Sequence, residues 1–280
     1  PREIARMMVG SDVETIRRTP NQSAGDDRLV VQDLSVRDER GLPALRQVSF
    51  RVRSGEIVGV VGVEGNGQHE LLEVLIGLRR AQSGVIRIGE QEITSAPARE
   101  RRERGLALIP EDRNAEGLSR DQTIWENLIS TRYYTPAQST RGVLHLRQIF
   151  AQAAEMMRHF DVRAEDERVR VSTLSGGNAQ KIVIARELTG SPQVLIAAQP
   201  TRGLDIGAAY FVHEQLLRLR SEGIAILLIS TDLDELLAIC DRFIVLFEGQ
   251  IIGEMDAAAA TREHLGMLMA GHAPAQEAKS

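Results

Sequence analysis

The 280-residue sequence has a single cysteine, Cys240, and so cannot close an internal disulfide. That thiol lies in the apolar run ELLAICDRFIVLF. Core packing in a reducing compartment is therefore expected of it, not thiol chemistry. An excess of basic residues is also missing: 34 Lys plus Arg stand against 39 Asp plus Glu, a formal net charge of -5. A general nucleic-acid binder carries the opposite balance, so no nucleic-acid partner is expected. No stretch approaches the roughly 18 consecutive apolar residues of a membrane span, so the chain is not expected to cross a bilayer itself. It opens at Pro1 with neither Met nor a signal-peptide pattern. What is present, 42% hydrophobic and 26% charged residues, is the composition of an ordinary globular protein of one large domain or two small ones.

Two segments resemble each other across the chain, REIARMMVG near the start and REHLGMLMAG near the end. On this repeat, residues 1–18 are expected to be the tail of a preceding, similar unit; the alternative is two unrelated Met-rich amphipathic helices. Residues 19–28, which begin TPNQSAGDD, are polar and turn-prone and are expected to form a linker. Strands are expected at Leu29 to Val36, Val48 to Val52, Glu56 to Val61, Ser83 to Gly89 and Gly105 to Pro110. After a helix-patterned insertion at about 114–171, strands resume at Gln193 to Ala198, Gly223 to Ser230 and Arg242 to Phe247, with helices at Ala208 to Arg220 and Asp232 to Ile239. Apolar strands alternating with helices imply an α/β fold with a mostly parallel sheet, whose ligands bind at the carboxyl ends of the strands. Met156 and Met157 fall on an amphipathic pattern and are expected to pack.

The stretch VVGVEGNGQHELLEVLIG, from Val60 to Gly77, has the layout of a phosphate-binding loop between a strand and a helix. Gly62, Gly65 and Gly67 let the backbone of Gly62 to His69, including Val63, Glu64 and Asn66, curl around an anion. The motif needs a lysine and a hydroxyl after its last glycine, and here stand Gln68 and His69. His69 and Glu70 alone are too few to make a metal site.

A second motif is sharper. LSGGNAQKIVIAREL (Leu174 to Leu188) is followed by VLIAAQPTRGLD (Val194 to Asp205). With these the chain resembles the ATP-binding cassette family from Leu29 to Glu254, glycine loop, helical insertion, signature and Walker B strand in order. The resemblance implies a P-loop NTPase-like cassette at 29–256, with an antiparallel β part near its N-terminus, a helical subdomain at about 114–171 and a C-terminal helix and tail at 257–280. LSGGN is the family's signature, which acts in trans: Ser175, Gly176, Gly177 and Asn178 would meet the phosphate of ATP held by the opposite cassette. A hydroxyl and bare backbone N–H groups at a helix start suit that role. Asp205 falls in the D-loop.

Against the same family pattern the chain's own site is stripped. Gln68 stands for the lysine, and His69 and Ala198 replace the Mg ligands. Gln199 occupies the position of the general base, Thr231 that of the switch histidine and Glu111 that of the Q-loop glutamine. No aromatic near Leu42 is placed to stack on adenine. The phrases EDRNAEGL, GVEGNGQHEL and PTRGLDIGA resemble the second cassette of tandem importer ATPases for sugars and nucleosides; Ala179 departs from that branch, which usually has glutamine. The resemblance implies ATP and Mg at a composite site with a first cassette, with weak or no binding in cis. It also implies transmembrane permease subunits, a periplasmic or lipoprotein solute-binding protein acting indirectly, and a peripheral place on the cytoplasmic face of the membrane. The alternatives are an autonomous ATPase active as a homodimer and a non-transport cassette of the binding-module type.

Overall fold

The computed structural model describes residues 25–272. The expected tail at 1–18 and most of the expected linker lie outside the described residues. At the linker's end the structure differs: Asp27 already pairs with Arg53. Strand β1 (Asp27–Arg37) therefore starts two residues before Leu29, because β2 (Pro43–Arg53) offers it a full-length antiparallel partner.

The chain continues through β3 (Ile57–Val61), α1 (Gln68–Ile76), β4 (Ser83–Ile88), β5 (Gln91–Glu92), α2 (Ala98–Glu103) and β6 (Leu106–Ile109). The insertion holds α3 (Ile124–Ile129), β7 (Ser139–Thr140), β8 (Val143–Leu144) and α4 (Leu146–His159). Then come α5 (Gly176–Leu188), β9 (Val194–Ala198), α6 (Ile206–Ser221), β10 (Ala225–Ile229), α7 (Leu233–Ile239), β11 (Arg242–Phe247), β12 (Gln250–Asp256) and α8 (Arg262–Met269).

Six strands form the central sheet in the order β12-β11-β3-β10-β9-β6, four others make an antiparallel sheet in the order β2-β1-β4-β5, and β7 and β8 pair only with each other. In the central sheet only β12 runs antiparallel to its neighbour. Every residue of β3, β9 and β10 is buried, the mark of strands covered on both faces. The two-residue period of a strand divides their side chains between two apolar cores. Ile57, Leu195 and Ile226 enter one with α5, α6 and α7, and Val58, Ile196 and Leu227 enter the other with α1 and the antiparallel sheet. Cys240 and Met157 are buried in the first core, as expected of packing residues.

Two features were not expected. The insertion is not helical throughout: Arg141 (φ 50) and Gly142 (φ 82) take left-handed conformations that close β7 on β8 as a hairpin. Likewise Glu248 (φ 46) and Gly249 (φ 74) fold β12 back on β11; its half-exposed residues carry little apolar alternation to announce a strand. A buried arginine joins the two layers. The Arg101 guanidinium, 1% exposed, donates to Val74 O (2.5 Å), Leu75 O (2.7 Å), Ala96 O (2.7 Å) and Thr94 O (2.9 Å). Its charge thereby meets the carbonyl end of α1, where the helix dipole favours a cation.

Candidate functional site

The segments after β3, β6, β9 and β10 converge at the carboxyl edge of the parallel sheet, around a cavity of about 290 Å³. Its wall joins Gln68 and His69, Glu111, Ala198, Gln199 and Thr231. Six positions from four separate stretches of the sequence are thus brought to one place.

The loop Gly62 to His69 keeps the backbone of an anion cradle. Gly65 (φ 90) and Gly67 (φ 105) occupy the left-handed region, and Gly67 starts α1. Asn66 pins the loop to the turn between β11 and β12, its Oδ1 accepting from the Glu248 N–H (2.9 Å) and its backbone O from Gly249 N–H (3.1 Å). Val63 and Glu64 point to solvent. Gln68, by contrast, folds back into the loop. Its Nε2 donates to Val63 O (3.0 Å) and lies where a Cβ on Gly62 would stand only 2.3 Å away. The other amide atom, Oε1, is buried without a hydrogen-bond partner. His69 reaches along its own helix to Glu73 (3.4 Å). Among the described residues no three His, Cys, Asp or Glu side chains are grouped to hold a metal ion.

Two of the remaining replacements bond to each other. Gln199 sits at φ 45 just past β9, with its Nε2 donating to Thr231 Oγ1 (3.2 Å) and its Oε1 accepting from the Thr231 N–H (3.3 Å). Ala198, 2% exposed, ends β9 with a methyl group. Glu111 forms an ion pair with Arg202.

Ser175, Gly177, Asn178 and Asp205 are brought together around a different cavity of about 560 Å³, which neither Gly176 nor the glycine loop lines. Ser175 caps α5: its Oγ accepts from the Asn178 N–H (3.4 Å) and from Asn178 Nδ2 (3.2 Å). Asn178 Oδ1 accepts from the Arg163 N–H (2.9 Å), so the signature asparagine ties Ser175 to the preceding turn. Asp205 caps α6 through Ala208 N–H (2.8 Å). A Cβ on Gly177 would stand 2.9 Å from Ala208 Cβ, so this glycine is needed for the close approach of α5 and α6. Neither Gly176 nor Gly177 has an N–H acceptor among the described residues, as first-turn donors of a helix that are left open to a ligand. An anion fits this end of the site chemically.

Two residues next to these positions escaped the sequence reading. Arg113 and Arg202 stand inside the phrases EDRNAEGL and PTRGLD, yet neither spacing nor periodicity marks an arginine whose partners lie some ninety residues away.

Comparison with known proteins gives a consistent picture. The family described as ABC transporter matches residues 45–202, from β2 through the glycine loop and signature to just past β9. The guanosine import ATP-binding protein NupO of Bacillus subtilis (strain 168) is 41% identical over 278 residues, covering 99% of this chain and 54% of that protein. The nucleoside import ATP-binding protein NupA of Lactococcus lactis subsp. cremoris (strain MG1363) is 42% identical over 269 residues, covering 96% and 53%. The chain thus spans about half the length of the curated relatives it matches. A solved ATP-binding cassette of an ABC transporter, in its ADP conformation, shares the fold with a TM-score of 0.69 at 23% identity, over 87% of this chain and 95% of that one. The chain belongs to the ABC transporter family and has the fold of its ATP-binding cassettes.

Proposed function

We propose that this chain is the second nucleotide-binding domain of a tandem importer ATPase for nucleosides or simple sugars. It works at the cytoplasmic face of the membrane with a first cassette of the same longer chain. Transmembrane permease subunits dock on its helical insertion, and a solute-binding protein acts through them. Ser175, Gly176, Gly177, Asn178 and Asp205 complete a site whose own phosphate loop, with ATP and Mg, belongs to the first cassette.

The observation that carries this reading is the contrast between the two cavities. Both faces keep open N–H donors at a helix start, but the loop cavity lacks the lysine, hydroxyl and carboxylate that a Mg-nucleotide site needs. Gln68 cannot supply the lysine's charge, and the methyl of Ala198 and the ring of His69 offer no oxygen to a magnesium ion. Gln199, an amide, has no basic site with which to take a proton from water. Each charged hydrogen bond lost from a phosphate site costs roughly 1.5 to 3 kcal/mol. Two such losses weaken binding by at least about a hundredfold. The fit to Mg and ATP in cis is poor.

The half-length match supports the tandem arrangement, and the relatives' names support a nucleoside. The test is ATP turnover by the full-length tandem ATPase with Ser175→Arg, which places a bulky cation at the cap of α5. Turnover should collapse; undiminished turnover would sink the composite-site reading. An autonomous homodimeric ATPase instead predicts steady turnover by this chain alone.

A further inference from the structure

We propose that Arg113 is a positioning residue that locks the start of α5 and the turn before α6 into one rigid face, so that the signature donors and Asp205 act together. This rests on the composite-site reading above and names the residue that makes that face a unit.

Arg113 heads a π-helical turn, Arg113–Gly117, held in place by Asp112, whose Oδ1 accepts from Asn114 N–H (2.8 Å) and Ala115 N–H (3.1 Å). From there the guanidinium crosses to the turn before α6. Nη1 donates to Arg202 O (2.8 Å) and Nη2 to Gly203 O (3.4 Å). The same Nη2 lies 2.9 Å from where a Cβ on Gly176 would stand, so the side chain passes directly over the first residue of α5. Glu111 meanwhile holds the Arg202 side chain. The turn is therefore gripped twice, by its backbone and by its side chain, from a segment only three residues long.

Stability alone does not explain this placement. Arg113 Nε is buried without a hydrogen-bond partner, and no carboxylate forms an ion pair with the guanidinium among the described residues. The charge also lies beside the positive end of the α5 dipole, which repels a cation. A side chain that accepts two such costs marks a site shaped by function. Its geometry also needs the guanidinium fork: a lysine ammonium is a single point charge and cannot span the carbonyls of Arg202 and Gly203 in the same fixed plane.

The test uses the full-length tandem ATPase assembled with its permease, comparing Arg113→Ala, Arg113→Lys and Ser175→Arg. Arg113→Ala should lower kcat about tenfold, the worth of one charged hydrogen bond, while KM for ATP stays within about twofold because the nucleotide is held by the other cassette's loop. Arg113→Lys should fall between the two. Amides of residues 203–208 should exchange hydrogen faster in Arg113→Ala, with the thermal midpoint of the chain little changed. If Arg113→Ala keeps kcat within about twofold while Ser175→Arg abolishes turnover, the positioning role is wrong and the composite site stands. Unaltered exchange at 203–208, or a fall in kcat that only tracks a lowered thermal midpoint, also overturns it. If Ser175→Arg turns over normally, the composite site itself is wrong.

Discussion

Restoring Gln68→Lys together with Ala198→Asp is the sharpest probe of the loop cavity. In the wild type the Gln68 amide bridges to Val63 O and rests over Gly62, so a lysine there would put an ammonium into the cradle the loop already forms. Ala198 ends β9 with its methyl in the wall of the same cavity, where an aspartate carboxylate would face the loop. Each change returns one charged interaction to a bound Mg-nucleotide, about 1.5 to 3 kcal/mol apiece. Together they amount to some 3 to 6 kcal/mol, or roughly two to four orders of magnitude in affinity. Glu64 and Glu111 stay beside the cavity and His69 still offers no hydroxyl, so the lower end, about a hundredfold, is the expected gain. Titration with a fluorescent ATP analogue, with and without Mg, reads this directly. The wild type should bind weakly and without regard to Mg, and the double variant tightly and with Mg dependence. Neither should turn over ATP, because Gln199 and Thr231 are untouched. Wild-type binding as tight as the variant's, or equally Mg-dependent, would refute the reasoning.

Two further outcomes concern the scaffold. Arg101→Met removes the donor that satisfies four carbonyls at the junction of α1 and α2. It should lower the unfolding free energy by about 2 to 4 kcal/mol, read as a shift in urea midpoint at constant slope; a loss under about 1 kcal/mol would show those carbonyls to be satisfied otherwise. The hydroxyl of Thr123, and then its backbone N–H, hold the Glu126 carboxyl below the usual glutamate range at the start of α3. Because the folded pKa is depressed, this contribution is complete above the unfolded value of about 4.3 and disappears as pH falls through the folded one. Glu126→Gln should therefore flatten the acid limb of a plot of urea midpoint against pH, and parallel limbs would contradict the assignment.

Which parts of the molecule were legible follows from how local their signals are. The strands from Ile57, Val194 and Ala225 are short continuous apolar runs between helix-patterned segments, and that run length and apolarity placed them. β12 escaped because an edge strand packed on one side needs no apolar alternation, and the hairpin β7–β8 because two paired residues per strand are too few for a period to show. The site divides the same way. Gln68, His69, Ala198, Gln199 and Thr231 could each be located as deviations within a motif of fixed spacing. Where their side chains go could not, because the partners of Gln199 and Arg113 lie 32 and 89 residues along the chain. Spacing reports which residue stands at a position; only the fold reports which group it has found.

That distinction gives the molecule its asymmetry. A phosphate loop that had lost its lysine while leaving the surrounding donors unpaired would carry a standing desolvation cost wherever those groups were enclosed. Here three of the replacement side chains find partners: Gln68 on Val63, Gln199 on Thr231, Glu111 on Arg202. Gln68 Oε1 is the exception in this set. At the signature the side chains order the helix start itself. Ser175 and Asn178 order each other, Arg113 and Asp205 fix the backbone around them, and the N–H groups of Gly176 and Gly177 have no acceptor among the described residues. Donors held rigid and left open cost little at an exposed helix end and become favourable only when an anion arrives; the first-turn N–H groups of α1 are open too, so what separates the two faces is the charged side chains missing from the loop and not a loss of backbone donors.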